Sequence, residues 1–269
     1  YLKKLIKYIK FGGRPAPWGG GPNMMSLCKE ARKNDFKVLL GGDCADEYTA
    51  GYEQSFDLLA NNKDDLLALD HLCRSYDNNT ESRFNTYQRN LRKRIKDSIP
   101  ETEDSLLNFA RITFSHNLEF FLQSCNLPNS DTFSMVESIE LRNPYLDFRL
   151  ISILLNCSSN LIIGDHFKKL TGKLALKKLA KKTYAKNFPD KYFLEKEGTR
   201  NYSKYISGYE FWNWDLFISF EIFNNQLSML KSDWKLRFAL INLEIFYQLY
   251  FGKNTEYFLN EILSISGKN

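Results

Sequence analysis

A chain of 269 residues is long enough for one large or two small domains with a full core. Its 43% hydrophobic and 15% aromatic content excludes general disorder. The net charge of +5 is modest, and no run of apolar residues approaches the roughly 20 a membrane span needs, so neither a nucleic-acid nor a membrane partner is expected.

In chain order, residues 1–10 form a basic-apolar segment that suits a helix, and 11–22 form a Gly/Pro-rich loop that excludes regular structure. Met24–Lys33 has helical periodicity, and Val38–Leu40 is a short apolar run that suits a buried parallel strand. This helix–strand–helix passage is one crossover of a doubly wound sheet. From Ala45 onward the pattern is almost wholly helical, with Leu58, Leu59, Leu66, Leu67 and Leu69 at helical spacing. A polar loop over 77–82 precedes the basic run 89–96, and 106–122 reads as another amphipathic helix. Residues 146–155 are apolar enough to be buried on most sides. Phe238–Phe251 reads as a buried helix, because Asn242, Glu244 and Gln248 interrupt it as a membrane span. The expected fold class is α/β, predominantly helical, with a partial doubly wound parallel sheet and a large helical C-terminal portion. One strand cannot stand as a sheet, and the chain begins at Tyr1 and not at Met. A later part of a longer protein, or one part of a split system, is the expectation.

The basic runs 89–96 and 168–186 read as solvated helix faces, with no nucleic-acid motif beside them. Five cysteines, widely spaced and odd in number, form no Cys-x-x-Cys or Cys/His cluster; reduced thiols in the cytoplasm are the simplest reading.

The most informative stretch follows the strand. Gly41-Gly42 lets a backbone approach a ligand without a Cβ, and Asp43, Asp46 and Glu47 then crowd carboxylates into one turn. In an open α/β sheet that end of a strand is where ligands bind. Such acids suit Mg²⁺ or proton transfer; the alternative is an acidic first helical turn facing water. A second stretch, 131–147, reads Asp-Thr-Phe-Ser-Met-Val-Glu-Ser-Ile-Glu-Leu-Arg-Asn-Pro-Tyr-Leu-Asp. A third has Gly172-Lys173 opening a lysine-rich helix, then Pro189, Lys196 and Gly198, and a fourth runs from Trp234 to Tyr250.

Together these four blocks resemble the synthetase domain of the asparagine synthetase family, from about Pro15 to Tyr250. The resemblance implies a nucleotide-proximal strand–turn–helix at 15–60 and a mostly helical remainder at 61–269, within an adenine-nucleotide-α-hydrolase-like fold. It implies an ATP-dependent carbon–nitrogen ligase, with ATP and Mg²⁺ as cofactors. A small-molecule carboxylate is adenylated, pyrophosphate leaves, and ammonia or a glutamine-derived amine displaces AMP. Asp46 matches the magnesium-binding aspartate. Gly41 and Gly42 match the pair whose backbone lies against the nucleotide. Asp43 matches the acid linked to adenylate formation and amine deprotonation. Lys173 matches the pyrophosphate lysine, and Lys196 is a weaker phosphate contact. Lys177 and Lys181 read as solvated charges, the Glu140–Arg142 pair as an ion pair that fixes a loop, and Asp147 as a helix cap. The phosphate-gripping Ser-Gly-Gly-x-Asp-Ser loop and the glutaminase domain do not occur in this sequence, so an upstream domain or a partner subunit is expected to supply the loop.

The sequence departs from the family pattern at Gly41, at Cys44 and Ala50 in place of glycines, and at Thr132 in place of an arginine. These departures support a second reading, a non-catalytic partner or scaffold subunit. Within the ligase reading, asparagine synthesis competes with relatives that close lactams or cyclise peptides.

Overall fold

The computed structural model describes residues 1–17, 19–52, 90, 93–94, 96–98, 100, 102–103, 105–166, 169–184, 234–253 and 255–265. The chain divides into two units. The first comprises Tyr1–Leu39, Pro128–Arg142 and Gly198–Asn269; the second comprises Leu40–Leu127 and Asn143–Glu197.

In the first unit, α1 (Leu2–Gly12) places Leu2, Leu5, Tyr8 and Ile9 on one buried stripe at the i, i+3, i+4 spacing of an amphipathic helix. Gly13 ends it in the left-handed conformation, its N–H donating to Ile9 O, as C-terminal glycines commonly do. Helix α2 (Gly21–Lys33) begins with Pro22 in its first turn, where a missing N–H costs nothing. The Gly/Pro segment expected to be wholly irregular therefore gives its ends to two helices. Its glycine closes one helix and its proline opens the next.

Strand β1 (Val38–Leu40) pairs with β2 (Glu140–Arg142) in a two-stranded parallel sheet. The expected strand is present, yet Leu40 is 74% exposed. Two strands alone do not cover both faces of a sheet, so the burial expected for an apolar parallel strand is not reached here. Also in this unit, α5 (Leu127–Met135, of which Leu127 belongs to the second unit) contributes Phe133 to the core. Helix α9 (Trp234–Phe251) contributes Phe238, Ile241 and Ile245, and α10 (Thr255–Ile265) contributes Phe258 and Ile262. The polar residues that interrupt α9 are buried with partners: Asn242 Oδ1 accepts from Ala16 N at 3.2 Å, and Gln248 donates to Glu244 at 2.9 Å. No described helix is long and apolar enough to cross a membrane.

In the second unit, α3 (Ala45–Tyr48) is one short turn, then α4 (Ser105–His116) continues through a π-helical stretch at Asn117–Asn126. A 3₁₀ turn (Pro144–Leu146) leads into α6 (Phe148–Asn156). Asp147 caps α6 as expected, accepting from Arg149 N at 2.9 Å. The expected burial of 146–155 fails: Phe148 is 77% and Ile153 65% exposed, because the helix packs only one partly buried stripe, Leu150, Ile151, Leu154 and Leu155, against Tyr48, Phe114 and Leu122. After α7 (Ser159–Ile162), β3 (Gly164–His166) and β4 (Lys169–Thr171) pair antiparallel, with Asp165 opposite Leu170. Helix α8 (Leu174–Tyr184) follows. The expected leucine-periodic helix, the polar loop 77–82 and Pro189, Lys196 and Gly198 lie outside the described residues.

Candidate functional site

The acidic turn at 43–52 and the Gly172-Lys173 block, separated by more than a hundred residues, meet within the second unit. Lys173 Nζ lies 2.6 Å from Asp46 Oδ1, and both side chains are 27% exposed. The contact rests on a backbone clamp. Lys173 N donates to Thr49 O at 2.6 Å. Gly172 is pressed so closely onto Ala50 that a Cβ there would stand 1.7 Å from the Ala50 carbonyl oxygen. Gly51 closes the turn by donating its N–H to Asp46 O at 2.8 Å. A Cβ on Gly51 would fall 1.8 Å from Asp46 Oδ1 and 2.5 Å from Lys173 Cε. Glycine at 51 therefore leaves the channel through which the lysine stem reaches the carboxylate.

Three non-glycine residues of this small region adopt left-handed backbone: Cys44 (φ 78°), Ala50 (φ 55°) and Lys173 (φ 58°). The two departures from glycine seen in the sequence, Cys44 and Ala50, thus occupy conformations that glycine adopts freely. They keep the turn and add strain, a combination found at functional sites.

Asp43 accepts a hydrogen bond from Asn143 Nδ2 at 3.3 Å, which ties the acidic turn to the segment before Pro144. Asn143 has the extended backbone that a following proline favours. Sequence reasoning missed it, since the position is unassigned in the motif; the residue before Pro144 was the available signal. Glu47 is only 2% exposed and accepts from Tyr52 Oη at 2.8 Å. Burial pushes its carboxyl pKa above the ordinary value, reinforced by Asp46 and Asp43, while Tyr52 and a backbone N–H pull the other way. Glu47 is therefore an internal brace of the turn and does not face water. Cys44 is fully buried and its thiol is pushed up to about 12, first by burial and then by Glu47 and Asp43. It stays a thiol, which is inert as a nucleophile.

Of the residues singled out in the sequence, Asp43, Asp46 and Lys173 converge in this unit. Gly41 and Gly42 lead into the turn, and a Cβ on Gly42 would meet nothing within 4 Å among the described residues. Lys173 stands immediately before α8, not in its first turn, and its carbonyl accepts from Lys177 N at 2.8 Å. Lys196 lies outside the described residues. The expected Glu140–Arg142 ion pair forms at 2.8 Å on an exposed strand. Thr132 lies in the first unit, donates to Pro128 O at 2.7 Å and packs against Gly12, so it serves a helix contact there. Met135 is 42% exposed, whereas Ser134 is buried.

Among the described residues no group of three or more His, Cys, Asp or Glu side chains is arranged to hold a metal. Asp46 nonetheless already holds a cation, the Lys173 ammonium, so its carboxylate is placed to accept positive charge. That donor chemistry fits a magnesium ion bound through one carboxylate with its remaining ligands from phosphate and water.

No curated protein and no solved structure matches this chain. The family model for asparagine synthase matches residues 20–193, more than half of the sequence, and takes in the acidic turn, the Glu140–Asp147 stretch and the Gly172-Lys173 clamp. The chain therefore belongs to the asparagine synthase family of ATP-dependent ligases.

Proposed function

We propose that this chain carries the synthetase site of an amide-forming ligase that adenylates a small-molecule carboxylate. ATP supplies the AMP group, pyrophosphate leaves, and ammonia or a glutamine-derived amine attacks the acyl carbon and releases AMP. The reading is carried by the Asp46–Lys173 contact at 2.6 Å, which joins the motif blocks that this chemistry needs together.

In this reading Lys173 neutralises charge on the departing pyrophosphate, where a positioned cation stabilises the transition state most. Asp46 holds Mg²⁺, which when bound supplies charge neutralisation at the phosphates. Asp43, steadied by Asn143, takes the proton from the attacking amine. Gly41 and Gly42 let the backbone lie against the nucleotide, and Lys196 adds a phosphate contact. An upstream domain or a partner subunit provides the phosphate loop, and the reaction runs in the cytoplasm.

Asp46→Asn abolishes ATP–pyrophosphate exchange in the complete protein, measured with a panel of carboxylic acids. Exchange that survives the substitution at ordinary magnesium removes Asp46 from the site. The scaffold reading draws on Cys44 and Ala50, whose strained backbone departs from glycine. It takes over if the complete wild-type protein exchanges pyrophosphate with no acid.

A further inference from the structure

We infer that the Asp46–Lys173 ion pair is a loading latch, in which the phosphate-side lysine occupies the metal-side carboxylate until a metal–phosphate complex displaces it. The inference rests on the proposed ligase reading for the roles of the two residues, and the contact itself is observed. Lys173 Nζ stands 2.6 Å from Asp46 Oδ1 and so occupies one of the two carboxylate oxygens open to a divalent cation. A divalent ion arriving alone meets a carboxylate already neutralised and an ammonium that repels it. A metal-free phosphate meets a lysine already neutralised. Only the two together offer each partner a replacement, the metal to Asp46 and phosphate oxygens to Lys173.

The pair is held in this arrangement by the backbone and not by chance proximity. Lys173 is anchored at φ 58° through its N–H to Thr49 O. Its aliphatic stem crosses Gly51 where any Cβ would block it, at 2.5 Å from Cε. Because the lysine backbone is fixed to the same turn that carries Asp46, release takes side-chain rotation alone. The partial exposure of both groups leaves them reachable by a ligand. The consequence is ordered loading: the metal enters with the nucleotide or pyrophosphate and not before it.

The test measures Mn²⁺ binding to the full chain by electron paramagnetic resonance, without nucleotide. Lys173→Met tightens Mn²⁺ binding about tenfold, within the range of typical site–site coupling. Lys173→Arg leaves it near wild type, and the Asp46→Asn/Lys173→Met double variant loses the gain. Equal affinity in Lys173→Met and wild type overturns the latch, as does a gain that persists in the double variant. A second measurement needs no variant beyond assignment: the Lys173 ammonium resonance by ¹⁵N NMR. Mg²⁺ alone leaves it in place, and Mg²⁺ with pyrophosphate shifts it; an equal shift with Mg²⁺ alone refutes the proposal. Pyrophosphate exchange tests the ligase reading separately, so a latch without exchange and exchange without a latch are distinct results.

Discussion

Gly172→Ala is the most severe small substitution in the candidate site. A Cβ at 172 would stand 1.7 Å from Ala50 O and 2.5 Å from Ala50 C, while real Cβ contacts essentially never fall below 3.0 Å. The 172 and 50 backbones must therefore part by at least 3.0 − 1.7 = 1.3 Å. Backbone cannot rotate aside as a flexible side chain does. Overpacking of this kind costs about 1–3 kcal/mol or more, and a backbone wall puts this case at about 3 kcal/mol. For a unit of this size that is a fall of about 6–12 °C in thermal midpoint. The same movement pulls Lys173 N from Thr49 O and displaces the ammonium from Asp46. A misplacement of about 1 Å costs on the order of 100-fold in rate, so pyrophosphate exchange falls by that factor even below the new midpoint. Gly42→Ala is the control: with nothing among the described residues within 4 Å of its Cβ, it stays within about 0.5 kcal/mol of wild type. Nucleotide affinity that falls in that variant at unchanged stability supports backbone contact at Gly42. Calorimetric unfolding and the exchange assay on both variants decide the matter. A Gly172→Ala protein with wild-type midpoint and exchange refutes the clamp.

Ala50→Gly relieves a left-handed backbone worth about 1–3 kcal/mol and adds about 0.5–1 kcal/mol of unfolded-state entropy. The net expectation is a raised thermal midpoint, and a lowered one contradicts the strain at this turn. Glu47 gives a pH signature: its folded pKa lies above its ordinary value of 4.5, so the native state binds the proton more tightly than the unfolded chain. Its stabilising contribution is full below pH 4.5 and is lost as pH rises through the folded value. Glu47→Gln, which keeps an acceptor for Tyr52, removes that decline, and identical pH slopes in variant and wild type overturn the assignment. Tyr8→Phe removes the donor to the Oδ1 of buried Asn129, a residue whose Nδ2 has no partner among the described residues. The loss is about 1–3 kcal/mol by urea unfolding, and a neutral result contradicts the pairing.

Much of the local chemistry around the acidic turn was legible in the sequence. Val38–Leu40 and the Gly-Gly-Asp turn were readable from an apolar run that stops at glycine, and Asp147 from its place before an apolar helix. The pairing of β1 with Glu140–Arg142 was not, because a three-residue strand with charged ends carries no periodic signal. The same holds for Gly164–His166 and Lys169–Thr171, which lie beside a lysine-rich helix and read as its approach. The burial of Glu47 was hidden for another reason. Adjacent acids look alike in sequence, and only the turn of α3 sends Glu47 inward to Tyr52 while Asp46 faces Lys173. The Lys173–Asp46 contact itself depends on Gly51 and Gly172 as paired absences of a side chain, which no spacing rule expresses.

Calorimetric titration of ATP with magnesium into the longest gene product containing this chain, wild type beside Asp46→Asn, tests whether Asp46 and Lys173 form a nucleotide site. Saturable binding by the wild type and at least a tenfold loss in the variant are expected, in line with the charge-assisted contacts removed. Binding that is equal in the two proteins, or undetectable in both, contradicts a nucleotide site built on Asp46 and Lys173.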